Sequence, residues 1–228
     1  MPTGNFTASF NGHAGSANID DSFHSSYHMK QELFLAALAA FDKANADDPN
    51  KEFSNDTEFP KELLYALRMS EMQQRYVADA SEELQLALRA QHIQRWMIPR
   101  SSYPMDRQGY LHWRTRLYSF HAESAGNILK KIGYGDEIIA RVMAIVGKRG
   151  LKINAETQLL EDVVNLVFIE HYLADFVARH PEYDEQKWLT IFRKTWQKMS
   201  PRAHEFALTG NIKIPPSMQQ LILKAVHD

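Results

Sequence analysis

The fold class of this chain is clearest in residues 154–173, NAETQLLEDVVNLVFIEHYL. Asn154 is a typical N-cap residue, and the apolar side chains after it recur three and four positions apart, as they do on one face of a helix. These side chains are Leu159, Val163, Leu166, Val167, Ile169 and Leu173. We therefore predict a helix that Asn154 caps and that ends before Pro181, since proline cannot continue a helix.

Segments with the same period lie on both sides of this helix. Upstream we predict helices over residues 28–45, from Pro60, from Ser81 towards Trp96, over residues 110–132 and over residues 136–148. Downstream we predict a helix that Asp184 caps, and shorter helices over residues 203–208 and from Ser217 to the end. Residues 97–108 contain two prolines and are predicted to form a loop. No segment shows the alternation of a strand, so the sequence predicts an all-α fold.

The composition is that of one globular domain. The chain has 228 residues, of which 44% are hydrophobic and 24% are charged, and this length suffices for a single core. Residues 1–26 are poor in large apolar side chains, so we predict a disordered N-terminal tail there and a single helical domain over residues 27–228. We expect no membrane contact, because no apolar run approaches the roughly 20 residues that cross a bilayer. The absence of cysteine and of a secretory signal leads us to expect a cytoplasmic protein.

Arginine is concentrated between residues 89 and 116. Six of the thirteen arginines lie there, with Asp106 as the one acidic residue among them. They are Arg89, Arg95, Arg100, Arg107, Arg114 and Arg116. The planar guanidinium suits phosphate, so this stretch is either a solvated surface or a site for a small anionic or phosphorylated molecule. The formal net charge of −2 argues against a bulk electrostatic grip on nucleic acid without excluding one.

Three residues that can bind a metal ion fall on predicted apolar helix faces. His92, His121 and Asp162 each follow a leucine by three or four positions. A lone histidine on such a face is usually a core residue, but a buried, ionised aspartate needs a partner. Two histidines and one aspartate would suit a divalent ion such as iron, manganese or zinc. The same helical phase predicts that Glu123 and Glu161 lie on the surface, and we assign the tryptophans to core packing.

Seven stretches of the sequence have counterparts in a known family. They are FDKANADDPN, ELLYALRM, LALRAQHIQRW, IPRSSYPMDRQGYLHWR, FHAES, QLLEDVVNLVFIEHY and KTWQKMS. Together they resemble an uncharacterised family, domain of unknown function 4202, over most of residues 33–209. This resemblance implies a helical fold and carries no activity.

A second resemblance is to the all-helical HD phosphohydrolase superfamily. The order His92, His121, Asp162 is similar to the spaced ligands with which that superfamily holds its metal ions. An HD-like helical arrangement is what this resemblance implies. The sequence departs from the superfamily's pattern at His92, which Ile93 follows where an aspartate would be expected.

The leading hypothesis for function is a metal-dependent hydrolase of a small phosphorylated substrate. The two histidines and the aspartate would hold the metal, and Arg95, Arg100, Arg107 or Arg114 would hold the phosphate. On a helix Arg95 would lie one turn from His92, so the metal and the anion would be neighbours. One alternative is a non-haem iron oxygenase on the same ligands. Another is a non-catalytic helical module whose arginines bind an anionic ligand, RNA or an acidic partner.

Overall fold

A computed structural model describes the backbone of residues 18–227 and the side chains of residues 28–216 and 218–225. The predicted all-α fold is confirmed. Over the described residues the α-helices are α1 (Asn18–Ala46), α2 (Lys61–Tyr76), α3 (Glu82–Arg89), α4 (Arg107–Ile132), α5 (Asp136–Val146), α6 (Ala155–Val167), α7 (Leu173–Ala178), α8 (Glu185–Trp196), α9 (Pro201–Leu208) and α10 (Pro216–His227). Within this part of the chain, no helix has the length and apolar character needed to cross a bilayer.

The first helix begins earlier than the sequence predicts. Residues 18–26, which were assigned to a disordered tail, form the first turns of α1. Their composition is poor in apolar side chains, and α1 extends this far as a continuation of a helix whose later residues pack in the core, such as Ala37 and Phe41. Residues 1–17 of the predicted tail lie outside the described residues.

Local capping interactions set several helix ends where the sequence predicts them. The Ser81 hydroxyl accepts a hydrogen bond from the Leu84 N–H at 3.1 Å, and the Asn154 side chain accepts one from the Glu156 N–H at 2.9 Å. At the other end of α4, Gly133 has a φ of 107°, a left-handed conformation that favours glycine. These interactions satisfy backbone groups that a helix end leaves unpaired.

A short β-hairpin between α1 and α2 was not predicted. Strands β1 (Lys51–Ser54) and β2 (Thr57–Pro60) pair antiparallel. The two residues between them, Asn55 and Asp56, have φ values of 49° and 61°, which suit a two-residue hairpin turn. Each strand has four partly exposed residues, too few to show a clear alternation in the sequence.

The hairpin brings Asp48 to the start of α2. Pro60, predicted as the first helical residue, lies one position before the helix and offers no side-chain cap. The Asp48 carboxylate supplies the cap, because its Oδ2 atom accepts a hydrogen bond from the Glu62 N–H at 3.0 Å. The position of Glu62 is thus set by a residue fourteen positions earlier in the chain.

Helix α6 is the central element of the core. It packs against α2, α3, α5 and α9, and Leu160, Val163 and Leu166 have no exposed surface. The helix continues into a single π-helical turn, Phe168–Tyr172, and then into α7. The predicted helix therefore does run to a point before Pro181, but the wider turn changes the phase of the side chains in its second half.

Candidate functional site

A cavity of about 450 Å³ opens between the first turns of α2, the middle of α4, the α6 to α7 segment and α8. Its volume lies within the range of small-molecule sites, roughly 300–1,000 Å³. Basic, aromatic and histidine side chains line most of it. Those that enter the argument are Lys61, Glu62, Tyr65, Gln91, His92, Arg95, Trp113, Arg114, Tyr118, His121, Lys148, Glu161, Tyr172 and Lys198.

The turn after α3 delivers His92 and Arg95 to this cavity. The sequence predicts one helix from Ser81 towards Trp96, but α3 ends at Arg89. Gln94 has a φ of 52°, and its N–H donates to the buried Asn45 side chain at 2.9 Å. The helical phase that placed His92 on an apolar face does not apply, because turns follow the end of α3 at Arg89. The left-handed Gln94 then redirects the backbone before Arg95.

His92 contacts three cavity residues. Its Nε2 atom lies 3.0 Å from Nη1 of Arg95, and its Nδ1 atom lies 3.4 Å from Oε2 of Glu62. The Tyr65 ring stacks on the imidazole with 4.1 Å between ring centroids. Burial and the nearby Arg95 lower the pKa of His92 well below its ordinary value, so the ring is neutral at pH 7.

His121 lies beside His92, with ring centroids 5.8 Å apart. The predicted apolar face of α4 is correct here, because His121 is 2% exposed and Leu117 and Ala125 are buried with it. Its Nδ1 atom donates to the Ile93 carbonyl at 2.8 Å. Burial and the neighbouring His92 lower the pKa of His121 to about 3, so its Nε2 atom carries a lone pair at neutral pH.

Glu62 is the third titratable group of this cluster. Its side chain is 9% exposed, and burial raises its pKa to about 7 although Arg95 acts in the opposite direction. A carboxyl group with such a pKa exchanges its proton near neutral pH. Nothing in the sequence singled Glu62 out, because its position depends on Asp48 and on the turn that carries His92.

Asp162 does not join the two histidines. It is fully buried, and its carboxylate accepts hydrogen bonds from the Tyr76 hydroxyl at 2.9 Å, the Ser200 hydroxyl at 2.6 Å and the Gln158 amide at 3.0 Å. It does not line the cavity. The sequence correctly implied that a buried Asp162 needs partners, but those partners tie α6 to α2 and α9.

The predicted convergence of His92, His121 and Asp162 on one metal ion is therefore not what the structure shows. Only the two histidines meet. Among the side chains that the structure describes, residues 28–216 and 218–225, no cluster of three His, Cys, Asp or Glu is arranged to hold a metal ion. The prediction failed at Asp162, whose carboxylate is held by Tyr76, Ser200 and Gln158 and does not line the cavity.

Two of the six arginines in the arginine-rich stretch line the cavity. The Arg95 guanidinium lies over the Trp113 ring, 5.0 Å from its centroid. Arg114 donates to the Tyr110 hydroxyl at 3.1 Å and to the Tyr118 hydroxyl. These three residues are spaced four apart on α4, which places them on one helix face.

The other four arginines lie elsewhere. Arg89 forms a two-pronged ion pair with Asp42, Arg100 donates to backbone carbonyls of its own loop, and Arg116 is half exposed beside Glu123. Arg107, predicted to hold phosphate, is the first residue of α4, is exposed and does not line the cavity. Arg95 and Arg114 thus share one cavity, and Arg107 does not join them.

Three further residues line the cavity although the sequence did not indicate it. Glu161, predicted on the surface, is 5% exposed, because α6 is packed on nearly all sides. Burial alone would raise its pKa, but its ion pair with Lys148 lowers the pKa below the ordinary value. Lys148 follows α5 in a left-handed conformation. Trp113, assigned to core packing, lines the cavity and donates to the Ile98 carbonyl at 2.9 Å.

Four buried polar atoms in the described residues have no hydrogen-bond partner in the protein. They are the Tyr65 hydroxyl, Oε1 of Gln91, Nε2 of His121 and the Tyr172 hydroxyl. All four belong to residues that line the same cavity. Because buried polar groups are nearly always paired in folded proteins, their concentration here makes this cavity the candidate functional site.

The sequence model of one protein family matches residues 35–222, which include every cavity residue described above. That family is described as Domain of unknown function (DUF4202). The chain belongs to this family. Its members share no stated activity, so the site itself has to supply the argument for function. No curated protein and no solved structure matches the chain. The HD-like arrangement is not supported by these comparisons and stays a prediction.

Proposed function

We propose that this cavity binds a small anionic molecule of the phosphate-ester class. The observation that carries the proposal is the coincidence of unpaired buried polar atoms with an excess of basic side chains. Five basic residues line the cavity, Lys61, Arg95, Arg114, Lys148 and Lys198, against two acidic ones, Glu62 and Glu161. Glu161 is already paired with Lys148, so the remaining cations favour an anionic ligand.

Arginine geometry favours phosphate over other anions. Arg95 and Arg114 enter from different elements, the turn after α3 and helix α4. Both guanidinium groups rest on aromatic rings of the cavity, which orients the planar fork before a ligand arrives. Two oriented forks suit the several oxygens of a phosphoryl group.

Hydrolysis of the bound phosphate ester is a second candidate function. It is favoured by Glu62, a buried carboxyl group 3.4 Å from His92 in the same cavity as Arg95. Such a carboxylate could accept a proton from an attacking water while arginine holds the phosphoryl oxygens. The ligand set of His92, His121 and Asp162 has no geometric support, so neither a metal-dependent mechanism nor the iron oxygenase can be assigned to it.

Calorimetric titration of the full chain tests the binding proposal. We expect saturable binding of inorganic phosphate and glycerol 3-phosphate, and none of glycerol. Binding should be lost when Arg95 and Arg114 are both replaced with alanine. Arg107→Ala is the matched control, because Arg107 lies on the same helix as Arg114 but outside the cavity. Equal loss in the control, or no phosphate binding by the wild type, would contradict the proposal.

Release of inorganic phosphate tests the second candidate. A panel of phosphomonoesters, nucleotides and phosphodiesters is incubated with the protein, with and without added manganese, zinc or iron. Turnover that Glu62→Gln abolishes while binding persists would support hydrolysis. Binding without turnover under every condition would leave a ligand-binding protein, and binding of RNA or an acidic protein alone would favour the non-catalytic module.

A further inference from the structure

The unpaired Nε2 atom of His121 limits which small molecules fit the cavity. We infer that the ligand is a phosphate ester that also carries a free hydroxyl group, with the phosphate on Arg95 and Arg114 and the hydroxyl donating to Nε2 of His121. This inference rests on the proposed function of the cavity. It adds the identity of a second chemical group, a hydroxyl, that the ligand must carry.

The hydrogen-bond inventory of His121 requires a donor. Its Nδ1 atom faces the Ile93 carbonyl, which can only accept, so the ring proton is on Nδ1 and the lone pair is on Nε2. That lone pair is buried and has no partner in the protein, and His121 lines the cavity. A fully ionised phosphate monoester has only acceptor oxygens, so it cannot satisfy Nε2.

The charge of the cavity selects a hydroxyl as that donor. An ammonium group would also donate, but it would enter a cavity lined by Arg95, Arg114 and three lysines, where like charges repel it. A neutral hydroxyl avoids this repulsion. The unpaired hydroxyls of Tyr65 and Tyr172 can each donate to or accept from further hydroxyl groups of the same ligand.

The spacing of the two anchors indicates the length of the ligand. His121 and Arg114 lie seven residues apart on α4, so they share a helix face and are separated by about 10 Å along the axis. A phosphate on a short hydroxylated carbon chain or ring can span this separation, which the long arginine side chain shortens. The class is therefore that of sugar and polyol phosphates.

Matched ligand pairs test this inference on the wild-type chain. Each pair joins a hydroxylated phosphate monoester to a counterpart of similar shape without hydroxyl groups. The pairs are glycerol 3-phosphate with propyl phosphate, ribose 5-phosphate with cyclopentylmethyl phosphate, and glucose 6-phosphate with cyclohexylmethyl phosphate. We expect at least one hydroxylated member to bind about tenfold or more tightly than its counterpart, the ratio for one well-formed hydrogen bond of about 1.4 kcal/mol.

Two substitutions locate the effect at His121. In His121→Asn the amide can still donate to the Ile93 carbonyl, but no acceptor remains at the Nε2 position, so the preference should disappear. In His121→Gln the longer side chain restores an acceptor near that position, so part of the preference should return. Equal binding within every pair in the wild type would overturn the inference and leave the phosphate site intact. Failure of all six compounds and of inorganic phosphate to bind would overturn the proposed function as well.

Discussion

Nη1 of Arg95 lies 3.0 Å from Nε2 of His92. Because a guanidinium can only donate, Nε2 of His92 must accept, and the ring proton must be on Nδ1, which faces Glu62. Arg95 thereby determines the tautomer of His92 and connects the anion-binding side of the cavity to its buried carboxyl group. The sequence predicted that Arg95 and His92 are neighbours from helical spacing, but a turn brings them together.

Replacing Arg95 with lysine should weaken phosphate binding about tenfold or more, because the ammonium keeps the charge and loses the two-pronged grip, a difference of about 1.5 kcal/mol or more. Calorimetry with glycerol 3-phosphate measures this loss. Nitrogen NMR of His92 should show an unprotonated Nε2 in the wild type and a mixture of tautomers in Arg95→Lys. Arg107→Lys should change neither quantity, and an unchanged affinity in Arg95→Lys would argue against Arg95 as an anion ligand.

Replacing Glu62 with glutamine should make the protein more stable than the wild type at neutral and alkaline pH, because glutamine cannot ionise. Burial raises the pKa of Glu62 from an ordinary 4.5 to about 7, so between these values the folded state binds more protons than the unfolded state. The free energy of unfolding then falls as the pH rises through this window. The full difference corresponds to about 3 kcal/mol.

Denaturant unfolding of both proteins from pH 4 to pH 8 measures this effect. We expect equal stability near pH 4 and a more stable Glu62→Gln variant near pH 8. The contribution of the two histidines is common to both proteins and cancels in the comparison. Glu58→Gln, at an exposed position of the hairpin, is the control and should parallel the wild type. A pH-independent difference would show that Glu62 does not titrate in this window.

Replacing Asp162 with alanine should lower the free energy of unfolding by roughly 2–5 kcal/mol, because buried donors from Tyr76, Ser200 and Gln158 lose their acceptor. Asp162→Asn should cost less than half as much, since its amide can donate to the two hydroxyls. Neither change should alter phosphate affinity or metal content, measured by calorimetry and elemental analysis. Metal that is bound by the wild type and lost in Asp162→Asn would restore the ligand set predicted from the sequence.

Replacing Gly109 with alanine should destabilise the loop that precedes α4. A Cβ atom there would lie 2.1 Å from the Pro104 carbonyl oxygen, so the loop or the helix start must move. We expect a loss of roughly 2–4 kcal/mol in the free energy of unfolding. Gly135→Ala is the matched control, because a Cβ atom at Gly135 meets nothing within 4 Å. Equal stabilities in the two variants would mean that the close approach of Pro104 is not required.

Much of the secondary structure could be predicted because its causes are local. Ser81, Asn154 and Asp184 cap helices through backbone groups two or three residues away, and Gly133 ends α4 by adopting a left-handed conformation. The apolar period of α6 and the burial of His121 on α4 also follow from spacing along one helix. Such interactions involve residues close in sequence, so they are visible without coordinates.

The candidate site could be predicted only in part. His92, His121, Arg95 and Arg114 do line one cavity. Asp162 was excluded from it by hydrogen bonds to Ser200 and Tyr76, which lie 38 and 86 positions away in the chain. The spacing of residues along one helix cannot predict partners that lie so far away in the chain. The sequence did not predict the two-stranded hairpin either, because the pairing of its strands depends on the turn between them and not on an apolar pattern.

By itself, the sequence determined an all-α domain, its main helix caps, an arginine-rich segment and membership of a family with no stated activity. Only the tertiary structure decided which polar residues meet. Helical phase holds within a helix and is lost at its end, so the turns after Arg89 and the left-handed residue Gln94 set the positions of His92 and Arg95. The pKa of Glu62 and the unpaired Nε2 of His121 arise from burial by several elements at once, because desolvation depends on all atoms that surround a group and not on its neighbours in the chain.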